Sequence, residues 1–90
     1  PSAEAVRARG EGDVGRLQAS LRRRIEASEL TQLAIERQLC WGGGYVSRLL
    51  KAGSSPRFDQ VLAILGALGV KPEELFAELY APAKAALTSA

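Results

Sequence analysis

The chain has no histidine and only one cysteine, Cys40. A single cysteine forms no intrachain disulfide, and without histidine a zinc site lacks its usual ligands. The same scarcity excludes a Cys–His or Ser–His nucleophile–base pair. Aromatic residues are only 6% of the chain, so aliphatic side chains must build the core. No apolar run approaches the ~20 residues that a membrane-spanning helix needs. The first dozen residues are polar and hold no signal-peptide core, so a soluble, cytoplasmic protein is expected. Ninety residues make one small domain, built from a single layer of packed elements. With no catalytic constellation and no length for a deep cleft, the sequence predicts no enzyme, no cofactor and no metal.

What the chain does have is aliphatic content at helical spacing and an uneven charge. Residues 1–57 carry ten basic and six acidic residues, a balance of +4, whereas residues 58–90 carry two basic and four acidic, a balance of −2. Between Gly42 and Arg57 there are three cations, Arg48, Lys51 and Arg57, and no anion. A basic front and an acidic back suit a polyanionic partner on one side. Ordinary solvated surface charge is the alternative.

The pattern predicts five helices. Residues 1–12, interrupted by Gly10 and Gly12, read as a flexible N-terminal arm. In that arm Arg7 and Arg9 are placed to track phosphates or enter a minor groove, or simply to fray. Asp13 is the expected N-cap of the first helix, followed by Val14, Leu17, Leu21 and Ile25 at helical spacing. Thr31 caps the second helix, with Leu30 and Ile35 spaced as a hydrophobic staple, and this helix ends near Leu39. The third is expected from Gly43 or Gly44 to Lys51, with Gly53 at its C-terminal cap. The fourth starts near Phe58 and is apolar on nearly every side through Val61, Leu62, Ile64, Leu65 and Leu68, so it should be central. Gly69 stops it, Pro72 opens the fifth, and Pro82 is expected to end that helix before a tail over 81–90. The folded domain is thus expected over 13–80.

The stretch Leu30–Leu50, LTQLAIERQLCWGGGYVSRLL, reads as two short amphipathic helices joined by a tight turn. A helix held across another at a fixed angle fits the DNA major groove. Together with the SSP loop after Gly53 and the closing segment VLAILGALGVKPEELF, it carries a family resemblance. From about Leu17 to Leu79 the chain resembles the lambda-repressor-like, or XRE-type, helix-turn-helix DNA-binding domain. The resemblance implies an all-α, five-helix fold and double-stranded DNA binding, as a transcriptional regulator and a homodimer. By the same resemblance, the third helix lies in the major groove and the start of the second faces a phosphate. Gln32 matches the glutamine that approaches the DNA backbone, where a helix N-terminus favours an anion. Ser47, Arg48 and Lys51 fall on the outward face of the third helix. Arg48 is long enough for a guanine edge or a phosphate, against the alternative of an ion pair with a nearby glutamate. Tyr45 contacts the backbone through its hydroxyl or simply packs. Thr31 and Arg57 assist, and Phe76, Leu79 and Tyr80 are candidates for a two-fold contact or for the domain's own core.

Three departures from the family pattern stand out. Glu36 takes a position usually held by alanine, bringing charge and bulk to the helix crossing. Cys40 replaces the turn glycine, which costs roughly 1 kcal/mol if the backbone there is left-handed, and is expected to be a small packed residue. Trp41 beside it is expected to fill core space. Gly42, Gly43 and Gly44 stand where family members read bases with side chains, and inside a helix each would cost ~1 kcal/mol. Such a run either lets the backbone approach DNA closely for shape or phosphate recognition, or marks a degenerate helix-turn-helix that binds a protein partner. A nucleotide-phosphate loop is discounted, because no strand precedes the glycines and no lysine follows at the required spacing.

Overall fold

A computed structural model of the chain describes residues 2–89, with side chains through Tyr80. It is all-α, with helices α1 (Ala3–Ala27), α2 (Gln32–Gln38), α3 (Tyr45–Leu49), α4 (Phe58–Leu68) and α5 (Pro72–Ser89).

Helix α1 starts ten residues before the expected Asp13 cap. Ser2 is the N-cap, its hydroxyl accepting from the Ala5 N–H, and Glu4 complements the first turn. Alanine, glutamate and arginine favour the helix strongly enough to carry it through Gly10, Gly12 and Gly15. Residues 3–12 are all exposed, so the expected arm is a helical extension of α1. Asp13 lies inside that helix and forms an ion pair with Arg16. At the other end, Ser28 closes α1, its hydroxyl donating to the Ile25 carbonyl and accepting from the Leu30 N–H.

The core is one cluster: Leu21 and Ile25 from α1, Ile35 from α2, Val46 from α3 and Leu50 just past its end, Val61, Ile64 and Leu65 from α4, and Leu75 from α5. Helix α4 supplies three of these nine, more than any other helix, which fits its apolar surroundings. It ends at Gly69, whose φ of 72° no β-carbon obstructs, and the Val70 N–H bonds back to the Leu65 carbonyl at 2.9 Å. Pro72 opens α5 as expected. The backbone of α5 continues through Pro82, so the expected stop is not observed there; proline's fixed φ is itself compatible with a helix. The side chains of the expected tail, 81–90, lie outside the described residues.

Helix α5 is tied to α1 by Glu78. Its carboxylate accepts from the Ser20 hydroxyl and pairs with Arg24 at 3.1 Å and Arg23 at 3.3 Å. The hydrogen bond from Ser20, aided by Arg24 and then Arg23 and opposed by burial, holds this carboxyl below its ordinary range.

Candidate nucleic-acid interface

A five-residue helix preceded by three glycines is too short to persist alone. Helix α3 is held at both ends by side chains from other helices. At its start, Gly44 sits at φ 80° and offers no side-chain cap. Glu36 of α2 takes that role: its buried carboxylate accepts the Val46 N–H at 2.8 Å. The charge expected to disturb the helix crossing is therefore turned inward, against the positive end of α3. At the far end, the Gln18 amide lies 2.9, 3.1 and 3.0 Å from the carbonyls of Leu49, Lys51 and Ser54. Arg22 donates to the Leu50 carbonyl. These groups satisfy carbonyls that a helix C-terminus leaves orphaned.

The α2–α3 turn is closed by Cys40, among the described residues the only non-glycine with positive φ, at 58°. The Trp41 N–H bonds back to the Glu36 carbonyl at 2.8 Å and the Cys40 N–H to the Arg37 carbonyl at 3.2 Å. This is the bonding of a left-handed helix stop, with cysteine in the glycine position. Cys40 is exposed, which overturns the expectation that it packs. Its place at the corner of the turn points it away from the core. Gly42 and Gly43 lie ahead of α3, not inside it, so the expected loss of helix propensity does not arise. A β-carbon on either would meet nothing within 4 Å.

Trp41 is half-buried against the core and also faces Tyr45, with ring centroids 4.4 Å apart at 33°. The Tyr45 hydroxyl accepts from the Gln60 side chain at 2.8 Å. The same Gln60 amide accepts the Arg57 N–H at 2.7 Å, capping α4. Arg48 also lies over the Tyr45 ring, its guanidinium carbon 5.9 Å from the centroid.

Of the residues singled out in the sequence, Ser47 and Arg48 are exposed on α3 while Val46 between Tyr45 and Ser47 is fully buried. Lys51 is exposed but lies past the end of α3, in the turn beyond Leu50, so it does not share the helix face. Gly53 likewise takes its φ of 90° within that turn; the cap of α3 is Leu50. Among the described residues, neither Arg48 nor Lys51 is in an ion pair. Arg57 pairs with Asp59 at 3.3 Å, with both side chains over 70% exposed, so the pairing is weak. Thr31 caps α2 through the Ala34 N–H at 3.0 Å, and Gln32 is half-buried at the first turn. Helix α3 is thus docked on α2 in a helix-turn-helix arrangement, with Ser47 and Arg48 in solvent.

A family model for the helix-turn-helix domain matches residues 16–79. The chain belongs to that family. The match covers every element from the middle of α1 to α5 and agrees with the lambda-repressor-like resemblance. No curated protein and no solved structure matches the chain.

The helix-turn-helix domain thus carries several groups that the sequence pattern did not single out: Gln18, Arg22, Glu36 as a cap, Trp41 as part of a stack, and Gln60. Only Gln60 had a local signal, standing three residues after the α4 N-cap as in a capping box. Gln18, Arg22 and Glu36 act across ten or more residues of sequence, where no periodicity reports them, and Trp41 meets Tyr45 across the α2–α3 turn, where helical spacing does not apply.

Proposed function

We propose that this domain binds double-stranded DNA, with α3 in the major groove and the start of α2 against a phosphate, and acts as a soluble, cytoplasmic transcriptional regulator. The observation that carries the reading is the clamped α3. Glu36 at one end and Gln18 with Arg22 at the other hold a five-residue helix whose Val46 is buried and whose Ser47 and Arg48 face solvent. Gln32, Ser47, Arg48 and Lys51 make the main contacts in this reading, with Thr31, Gly43, Gly44, Tyr45 and Arg57 beside them. Binding is an equilibrium event, and no bond is made or broken. Recognition of two half-sites calls for a homodimer, for which Phe76 and Tyr80 are the exposed candidates on α5.

The open space at Gly42 and Gly43 favours a second reading, a helix-turn-helix that has given up base contacts and binds a protein. Titration with duplex DNA at low and moderate salt separates the two. DNA binding predicts a steep salt slope, lowered by about one for each phosphate contact removed. The double variant Arg48→Ala, Lys51→Ala then binds more weakly with an unchanged thermal melt. Absence of binding at low salt supports the protein-binding module.

A further inference from the structure

The column Trp41–Tyr45–Arg48 is built from both sides. Trp41 is anchored in the core and stacks on Tyr45 at 4.4 Å. Gln60 of α4 holds the Tyr45 hydroxyl at 2.8 Å and is itself fixed by the Arg57 N–H. The hydroxyl bond and the stack together hold the ring in place, and the Arg48 guanidinium lies over it at 5.9 Å from the centroid. Gly44 completes the seat: a β-carbon there would come within 3.4 Å of Arg48 Nη1. A glycine at the head of α3 thus leaves room for a cation to lie over the first turn.

We propose that Tyr45 is a positioning residue for Arg48, holding the guanidinium over the first turn of α3 so that it meets DNA without first losing its rotamer freedom. This rests on the DNA-binding reading. An arginine is a long, rotamer-rich side chain, and each such group immobilised on binding costs affinity. A cation held on an aromatic face is already partly ordered, and the guanidinium keeps its planar fork of donors for a guanine or phosphate. Tyr45 thereby contributes to recognition through Arg48, without itself needing to touch a base. In the free protein, the Arg48 side-chain N–H resonances should be displaced by the ring current of Tyr45.

The test is a double-mutant cycle read by fluorescence anisotropy on duplex DNA, with Tyr45→Leu, Tyr45→Phe and Arg48→Ala, and a thermal melt for each. Tyr45→Leu should weaken binding about two- to fivefold, the range that a surface cation–π contact supplies. Tyr45→Phe, which keeps the ring, should restore most of that loss. In the Arg48→Ala background, Tyr45→Leu should cost nothing further, and in the free protein it should abolish the ring-current displacement at Arg48. Equal loss from Tyr45→Leu with and without Arg48 would overturn the positioning role while leaving DNA binding intact, as would no loss in either background. Failure of the unmodified protein to bind duplex DNA would instead remove the functional reading itself, and with it this role.

Discussion

The carboxylate of Glu36 accepts the backbone N–H of Val46 at 2.8 Å, across the angle between α2 and α3. Both groups are buried, so neither has water as a substitute partner. A buried carboxylate is normally a liability. Here it sits at a helix N-terminus, where N–H groups and the helix dipole favour negative charge. One of the residues that departs from the pattern of the resembled family thus secures the start of the helix in front of which the glycines lie.

Glu36→Ala should destabilise the domain by about 1.5–3 kcal/mol, because it leaves the Val46 N–H buried without an acceptor. Glu36→Gln keeps an acceptor oxygen and should lose less. Urea titrations of the three proteins provide the comparison. An alanine variant as stable as the unmodified chain would show that the cap contributes nothing.

Leu65 is fully buried in the middle of α4. Leu65→Ala should cost about 2–5 kcal/mol, as other buried leucines do. A smaller loss by chemical denaturation would mean that the core collapses around the cavity, and that α4 is less central than its burial indicates.

Glu78 gives the α1–α5 junction a pH dependence. Its carboxyl is held below the ordinary range, so the stabilisation is present at neutral pH and disappears as pH falls through the lowered value. The side chain is 39% exposed, which limits the contribution to about 1 kcal/mol or less. Glu78→Gln should therefore be slightly less stable at pH 7 and match the unmodified protein in strong acid. A stability difference that persists unchanged at low pH would assign the effect to packing.

The exposed aromatics of α5 bear on association. Phe76 stacks with the exposed Phe58 at 6.3 Å, while Leu79 packs on the domain's own core. Tyr80 is half exposed, with its hydroxyl 3.4 Å from Asp13. If Phe76 and Tyr80 form the two-fold contact, replacing both with alanine should shift sedimentation toward monomer and weaken binding to a two-half-site duplex. A strict monomer at high concentration, free and on DNA, would remove this contact.

Much of the fold was legible because its signals are local. Gly69 and Pro72 mark the α4–α5 turn, Thr31 marks the start of α2, and the spacing of Val61, Ile64 and Leu65 marks the buried face of α4. The start of α1 is harder to read, because Gly10 and Gly12 are conspicuous breakers, whereas the favourable sum over Ser2, Glu4 and the alanines is spread along two turns. The site was harder for a different reason. Cys40 has the left-handed backbone expected of a turn glycine, but its exposure depends on where the turn corner faces. The roles of Glu36, Gln18 and Gln60 depend on partners in other helices. The family resemblance marks Glu36 as unusual, yet not which way its carboxylate turns.

The glycines carry the last prediction. Gly42 and Gly43 have ordinary backbone angles and open space around them, whereas Gly44 is left-handed at φ 80°, and a β-carbon there would touch Arg48 Nη1 at 3.4 Å. Side chains at the first two positions are therefore tolerated, and their absence is not imposed by the turn. Losing two bidentate base contacts per half-site removes ~2–6 kcal/mol of direct readout. Contacts from Gln32, Arg48 and Lys51 would remain, so discrimination between operator and random duplex should be small for this family. Gly43→Arg should then raise affinity by adding a reaching cation without strain. Gly44→Arg should instead cost about 1 kcal/mol of stability from its left-handed backbone and displace Arg48. Selection from a random duplex library provides the decisive comparison. A sharp, information-rich motif from the unmodified protein alone would mean that backbone approach, DNA shape or the seated Arg48 reads sequence as well as side chains do, and the glycines would no longer account for weak discrimination.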